Sequence, residues 1–379
     1  MDFIIPACST KPYTLLHPEE IETPALLVFK DRVLHNMTTM KEQLKAVDDK
    51  LNLNMLCPHV KTHKSAWTLK QQMHAGIEYF KSSLNELDML VKNGVKKSFV
   101  AYPLLPHSIK KITTYLETTP EIEIHIQVGH EKHLDYLEQI APDHNWQIYI
   151  DLDVGMHRTG AEPQQALELW KRIKANGWSF LGLHGYDGHN HTGDETKKQK
   201  IAQDAMAALF HAVQLFESQG AHVENVVVGG SPGFLADLKL LLDQSPKFNI
   251  FLSPGTWIYH DSDSMETMDI PFNVAALILC QVIDRPNAYS LTLNLGHKRW
   301  SIDQGVPEHH SLAGGLIKSW SEEHTVMVFN EETKAKIGDY ILIAPRHVCS
   351  TVNLWETFTL VDEQGHIEKK RINIDARNR

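Results

Sequence analysis

Cysteine is scarce in this chain. The four cysteines, at positions 8, 57, 280 and 349, have no paired spacing, which argues against a disulfide framework and for a reducing, cytoplasmic setting. Long apolar runs are missing too. The longest, such as 275–280, fall far short of the roughly 20 residues a membrane helix needs, and the N-terminus lacks the basic-then-apolar layout of a signal peptide. There is no excess of positive charge: the net charge of -10 excludes the basic footprint of a nucleic-acid binder. No internal repeat or low-complexity tract is present, so a solenoid or a disordered tail is not expected. What remains is a globular chain of 379 residues, 42% hydrophobic and 22% charged, with as many as 23 histidines. That length suits a large core and two domains.

Apolar, strand-like runs alternate regularly with amphipathic helical stretches. Strands are expected near 54–61, 78–82, 98–102, 123–128, 146–153, 180–186, 225–230 and 248–255, with helices such as Ser65 to Ala75, Leu84 to Asn93, Pro163 to Asn176 and Thr196 to Gln219 between them. Eight such units predict an α/β fold, a (β/α)8 barrel. After Asp261 the texture changes to successive strand-like runs without long helices: Phe272 to Ile283, Ser290 to Leu295, Thr325 to Phe329, Tyr340 to Ile343 and Phe358 to Leu360. The expected division is a barrel over 25–265 and a second, mainly β domain over 266–379 together with 1–24.

Lys61 sits in Cys57-Pro58-His59-Val60-Lys61-Thr62-His63-Lys64, at the end of the first expected strand. Burying an ammonium is costly unless it is paired, neutralised or used covalently. On a strand, His59, Lys61 and His63 would share one face. Two readings fit: a lysine Schiff base with titratable neighbours, or a basic strand end running into a solvated loop.

The polar motifs fall where a barrel keeps its active residues, at the C-terminal ends of strands. Asp151 to Gly160 follows the fifth strand, His184 to His189 the sixth, Gly229-Gly230-Ser231-Pro232-Gly233 the seventh and Ser253-Pro254-Gly255-Thr256-Trp257 the eighth. Glycine-rich loops after the last two strands suit a phosphate, because bare backbone lets amide N–H groups approach its oxygens. A phosphate anchor opposite an amine nucleophile fits a phosphate-bearing aldehyde, pyridoxal phosphate. Further on, Pro345-Arg346-His347-Val348-Cys349 follows an apolar strand. If the segment stays extended, His347 and Cys349 face one side, either as a buried cysteine beside a surface histidine or as a soft ligand pair suited to zinc.

Taken in order, these motifs resemble the D-threonine aldolase and D-serine dehydratase family, which shares the alanine racemase type of pyridoxal-phosphate fold. The similar elements are Glu22-Thr23-Pro24-Ala25, Pro58 to His63, the Asp-x-Gly-x-x-Arg-Thr-Gly run from Asp153 to Gly160, Pro254-Gly255-Thr256, Ser321 to His324, Gly338-Asp339 and Pro345 to Cys349. The resemblance implies that Lys61 forms the Schiff base with the cofactor, that Gly230, Ser231, Gly255 and Thr256 bind its phosphate, that Arg158 approaches its phenolic oxygen, and that Tyr186 and Trp257 also contact the cofactor. It also implies that His347 and Cys349 hold a divalent metal, zinc first, with manganese or magnesium as alternatives. The chain departs from the family at Cys57, where arginine is usual, and at Trp257, where tyrosine is usual and Tyr259 follows two residues on.

The implied activity is a lyase reaction on a D-configured β-hydroxy amino acid, a small-molecule substrate, in a homodimer with no nucleic-acid or membrane partner. Candidate bases are His59, His63, Tyr186 and His189, with His59 and Tyr186 leading. The Tyr186-Asp187-Gly188-His189 element resembles the aldolases, whereas Cys349 resembles the dehydratases. Aldol cleavage leads and dehydration is the alternative. A racemase or a pyridoxal-phosphate carrier is less compatible, because a racemase needs no metal and the carriers have no second β domain. Glu322, Glu323 and His324 are candidates for a shell around the metal or for solvated turn residues.

Overall fold

Seven parallel strands, Tyr79–Ser82, Lys97–Val100, Glu123–Val128, Gln147–Leu152, Ser179–Gly185, Asn225–Val228 and Asn249–Leu252, pair in sequence order to form one curled sheet. A helix follows each of the first six, for example Leu84–Lys92 and Glu195–Ser218. The computed structural model describes residues 1–244 and 246–377, which separate into two compact units. This sheet belongs to the unit made of 43–61 and 72–255.

The eighth stave is not a regular strand over 54–61, as expected from the sequence. Leu53–Met55 and Val60–Thr62 wind as 3-10 turns. Between them Leu56 bridges Leu252 and His59 bridges Lys81, both in the parallel sense. The Cys57 N–H donates to Leu252 O at 2.7 Å and the Lys81 N–H to Pro58 O at 3.0 Å. A short stretch therefore joins both edges of the seven-stranded sheet. Pro58 has no N–H to continue a ladder, so regular pairing stops there.

The barrel interior holds Cys57, Tyr79, Phe99, Tyr149 and Val227, with Leu181 and Phe251 packed against them. A bulge where Tyr149 pairs with Gly182 changes the inward alternation. Leu181 packs inward, and so does His184 three residues later, its ring 5.1 Å from that of Phe99. Gly182 is required at the bulge: its φ is +146° and a Cβ would lie 1.8 Å from Asn225 O.

The other unit comprises 1–42, 62–71 and the chain from 256 onward. Its main sheet has eight strands. Ala25–Phe29 runs antiparallel to Ala276–Asn287 and parallel to Thr357–Val361. The expected boundary at residue 25 thus assigned this strand to the barrel, whereas its pairing puts it in the β unit. Gly315–Trp320 and Ile367–Asn373 are strands that apolar patterning did not reveal. Both carry several exposed polar residues at sheet edges, which blurs the period-two signal. Leu27, Phe29, Leu277, Leu279, Leu342 and Val361 fill the core of this unit, each contributing about 1.5–3 kcal/mol by burial. No helix among the described residues is long and apolar enough to cross a membrane.

Candidate active site

The structure moves the first lysine to a different environment. Lys61 lies in the Val60–Thr62 turn and is exposed rather than buried in a strand. In a 3-10 turn residues i and i+2 do not share a face, so His59, Lys61 and His63 are not aligned as expected. His59 is half-buried and its Nδ1 accepts the Lys61 backbone N–H at 3.2 Å. His63 is 1% exposed and accepts the Ser65 N–H, also at 3.2 Å.

A lysine buried in a barrel strand is Lys81, 4% exposed near the end of Tyr79–Ser82, whereas Lys64 and Lys198, 8% and 7% exposed, lie in a loop and a helix. A capping box of Ser83 and Glu86 starts the next helix immediately beyond and fixes where the strand ends. Lys81 Nζ lies 2.8 Å from His184 Nε2 and 3.1 Å from Ser253 Oγ. His184 Nδ1 in turn meets Asp151 Oδ1 at 2.7 Å, and Gln127 Nε2 donates to Asp151 Oδ2 at 3.2 Å. Burial pushes Lys81 down to about 7. Burial, reinforced by the neighbouring Lys81, pushes His184 down to about 4.

Arg158 and Tyr186 line a small cavity with Asp151, Asp153, Met156 and Thr159. The Arg158 guanidinium carbon stands 4.9 Å from the Tyr186 ring centre, and Lys81 Nζ stands 5.0 Å from it. The loop that carries Arg158 is tied by Asp153, whose Oδ1 accepts the N–H groups of Gly155 and His157 at 3.0 and 2.9 Å. Gly160 closes it with φ +107°, and a Cβ there would lie 2.4 Å from Asp153 N. His189 is half-buried beside this loop, its Nε2 3.1 Å from where a Cβ on Gly155 would stand.

The glycine loops are partly engaged with one another. Gly255 N–H donates to Ser231 Oγ at 3.1 Å, which joins the loops after the last two strands. Gly230 N–H instead donates to the buried Asp187 at 2.7 Å, so Gly230 supplies clearance rather than a free amide. A Cβ on Gly230 would come within 3.4 Å of the Tyr186 ring. Pyridoxal phosphate is compatible with these residues: two glycine-containing loops joined at Ser231, the exposed amine of Lys61 and the cation Arg158 suit an anionic aldehyde.

In the β unit, Thr256 opens the Thr256–Ile258 turn and its Oγ1 is 3.8 Å from Cys349 Sγ. Trp257, expected at the cofactor, is fully buried with its ring 6.2 Å from that of Phe272. Tyr259, equally buried, bonds Thr68 through its hydroxyl at 2.7 Å. His347 and Cys349 are brought together, but not by an extended strand. His347 is the N-cap of Val348–Val352, and the helix start turns Cys349 back to it.

His347 Nδ1 meets Asp303 Oδ2 at 2.7 Å, and Ser350 Oγ holds the same oxygen at 2.7 Å. Cys349 Sγ is 3.2 Å from the hydroxyl of Thr62, the residue that follows Lys61 in the chain. Burial works against charging His347, yet Cys349, Asp261 and Asp303 hold it up at about 10. The donor set fits a divalent ion of intermediate softness: Asp303 orients the imidazole through Nδ1 and leaves Nε2 for a ligand beside the thiol. Among the described residues no group of three or more His, Cys, Asp or Glu side chains is placed to hold a metal. A pair of ligands would leave positions for water or substrate. Arg346 pairs with Glu266 and Asp263, and serves as a clamp rather than a ligand. Glu323 pairs with Lys298 at 3.1 Å on the surface, the solvated reading of that turn.

Sequence reasoning missed Lys81, Asp151, Ser253 and Asp303 as parts of these constellations. For Lys81 a signal existed, a charge inside the apolar Tyr79-Phe80-Lys81-Ser82 run. For Asp303 there was none, because it lies 44 residues from His347 in an irregular loop.

Comparison with known proteins agrees with the geometry. Residues 31–263 match the family model described as alanine racemase, N-terminal domain, and 275–361 match a serine dehydratase domain. The chain is 23% identical to 3-hydroxy-D-aspartate aldolase of Paracoccus denitrificans (strain Pd 1222), over 92% of this chain and 90% of that protein. It is also 23% identical to D-serine dehydratase of Dictyostelium discoideum, over 92% and 95%. The crystal structure of D-threonine aldolase from Filomicrobium marinum superposes with a TM-score of 0.84 at 23% identity, covering 95% of this chain and 97% of that one. With a family match over more than half its length and the curled parallel sheet that goes with it, the chain belongs to the alanine racemase N-terminal domain family, joined here to a serine dehydratase-type β domain.

Proposed function

We propose that this protein is a pyridoxal-phosphate- and metal-dependent lyase acting on D-configured β-hydroxy amino acids, with aldol cleavage to glycine and an aldehyde as the leading reaction. One observation carries the reading: Asp303 backs His347, which adjoins Cys349, and Cys349 contacts the residue next to Lys61. A metal has work to do in a pyridoxal-phosphate lyase when the substrate offers a β-hydroxyl. Relatives named as aldolases and as dehydratases of such amino acids support the class.

Pyridoxal phosphate supplies an aldehyde for the substrate amine and a ring that accepts electrons from Cα. Lys61 would hold that aldehyde, with Ser231, Gly255 and Thr256 around the phosphate and Arg158 near the ring. A divalent ion on His347 and Cys349 would supply Lewis acidity at a hydroxyl oxygen. Asp303 fixes which imidazole nitrogen faces the ligand. Tyr186 and His59 are the candidate proton carriers: Tyr186 lies in the cavity with Arg158, and His59 adjoins Lys61. Removal of the hydroxyl proton leads to cleavage of Cα–Cβ; loss of the Cα proton with departure of hydroxide leads to dehydration. Cys349 supports the second outcome, the alternative reading. A homodimer completes the proposal, since the fold type it resembles assembles in pairs, and sedimentation of an active monomer would contradict it.

Product analysis tests the reaction. With D-threonine, cleavage yields glycine and acetaldehyde, whereas dehydration yields 2-oxobutanoate and ammonia. With 3-hydroxy-D-aspartate the corresponding pairs are glycine with glyoxylate, and oxaloacetate with ammonia. Absence of both pairs from these substrates and from D-serine, together with conversion of D-alanine to its L form, would overturn the lyase reading in favour of a racemase.

A further inference from the structure

The Asp151–His184–Lys81 line is not explained by packing. Replacing a buried charge network with apolar side chains of similar volume is often neutral or stabilising, and Lys81 is 4% exposed. Its placement is also specific. Lys81, Asp151 and His184 each stand one residue before the C-terminal end of their strands, and Ser253 stands one residue beyond the end of its own. That end is where barrels of this kind keep their chemistry.

The hydrogen-bond roles follow from the geometry. With Asp151 accepting from Nδ1, His184 presents Nε2 as an acceptor, so Lys81 is the donor at 2.8 Å. A second N–H of Lys81 is used on Ser253 Oγ at 3.1 Å. Ser253 Oγ itself donates to Gly229 O at 2.9 Å, at the root of the loop that continues into Gly230 and Ser231. The ammonium also faces the Tyr186 ring, which Arg158 approaches as well.

Resting on the function proposed above, we infer that Lys81 is a positioning residue of the barrel mouth, a positive charge that the Asp151–His184 pair holds against the pocket of Arg158 and Tyr186 and that sets the electrostatic environment of the bound cofactor. Burial brings its titration into the neutral range, to about 7. The charged and titratable groups around it are Cys57 from the closing stave, Lys61, Asp151, Arg158, His184 and Tyr186. Asp151 stabilises the ammonium through the imidazole. Lys61 and Arg158 oppose it. No covalent role is assigned to Lys81; the aldehyde stays with the exposed Lys61.

The test is a pH titration of the visible absorbance of the pyridoxal-phosphate-loaded protein, wild type against Lys81→Met and Asp151→Asn, with borohydride reduction and peptide mapping alongside. Wild type should show a spectral transition near neutral pH. Lys81→Met should lose that transition while mapping still finds the cofactor on Lys61. Asp151→Asn keeps the lysine but removes its anion, so the midpoint should fall by about one pH unit or more. If Lys81→Met does not fold, the Asp151→Asn shift alone decides. An unaltered transition in either variant, with normal uptake, overturns the inference and leaves the lyase reading standing. Absence of cofactor uptake by wild type overturns both.

Discussion

The molecule contains the same three-part arrangement twice, once in each unit. In the barrel it is Asp151, His184 and Lys81; in the β unit it is Asp303, His347 and Cys349. In both, a carboxylate oxygen lies 2.7 Å from the imidazole Nδ1. Their protonation nevertheless goes in opposite directions, since His184 is pushed down to about 4 and His347 is held up at about 10. The side chain of His184 is 4% exposed and faces a cation, whereas that of His347 is 27% exposed and faces a thiol among acidic neighbours. A carboxylate behind a histidine therefore orients the ring without fixing its charge. The charge is decided by burial and by the sign of the third partner.

The most severe way to break the comparison is His347→Ala. Removing one of the two proposed metal ligands should abolish metal retention and reduce lyase turnover to background, while the absorbance of bound cofactor survives. Metal analysis and product assays on the same sample check this. Full turnover in the metal-free variant would remove the metal from the scheme.

Next is Asp303→Asn, which keeps the shape and removes the anion behind the imidazole. A loss of about 10–100-fold in metal affinity or activity is expected, as for other carboxylates behind metal-binding histidines. Titration with zinc and with manganese should give the same ranking of wild type over variant.

The barrel triad has a pH signature. The folded-state pKa of His184 lies below its unfolded value of 6.5, so between the two the unfolded state binds more protons and stability falls as pH drops from 6.5 towards 4. The loss from this residue is on the order of 3 kcal/mol, by 1.36 kcal/mol per pKa unit. His184→Gln should flatten that part of the curve in denaturant titrations at successive pH values. An identical acid limb in the variant would show that other buried groups, such as His125 and His260, account for it.

The smallest effect is expected from Ser350→Ala. It removes the 2.7 Å bond that Ser350 donates to Asp303, a cost of about 1 kcal/mol. Because Asp303 remains against His347, metal affinity should fall less than in Asp303→Asn.

Lys61 and Lys81 illustrate how much of the site could be read in advance. The motif around Lys61 was legible because the order of residue types from Pro58 to His63 matches a family pattern. Its environment was not, because the apolar run from Asn54 reads as a strand until Pro58 and the two flanking 3-10 turns interrupt it. The unusual environment predicted for Lys61 belongs instead to Lys81, 20 positions later and deep in the next strand. The spacing of His347 and Cys349 left two readings open and the family resemblance chose the ligand pair; a helix start, not a strand, brings the two together. Trp257 was placed at the cofactor by its position in a motif, and its full burial near Phe272 is a tertiary fact that the motif does not record.

Local chemistry is what the sequence by itself determined: alternating strands and helices, glycine where the backbone turns too tightly for a Cβ, a lysine, a histidine and a cysteine in recognisable runs. These depend on neighbours a few residues away, and periodicity and composition record them directly. Tertiary structure alone decided which charges share a low-dielectric interior. Asp151, His184, Lys81 and Ser253 come from four different strands or strand ends, and they meet only because the sheet curls and the bulge at Gly182 turns His184 inward. The protonation of each group is set by that meeting, since the cost of a buried charge depends on what stands within a few ångströms of it in space and not on its separation along the chain.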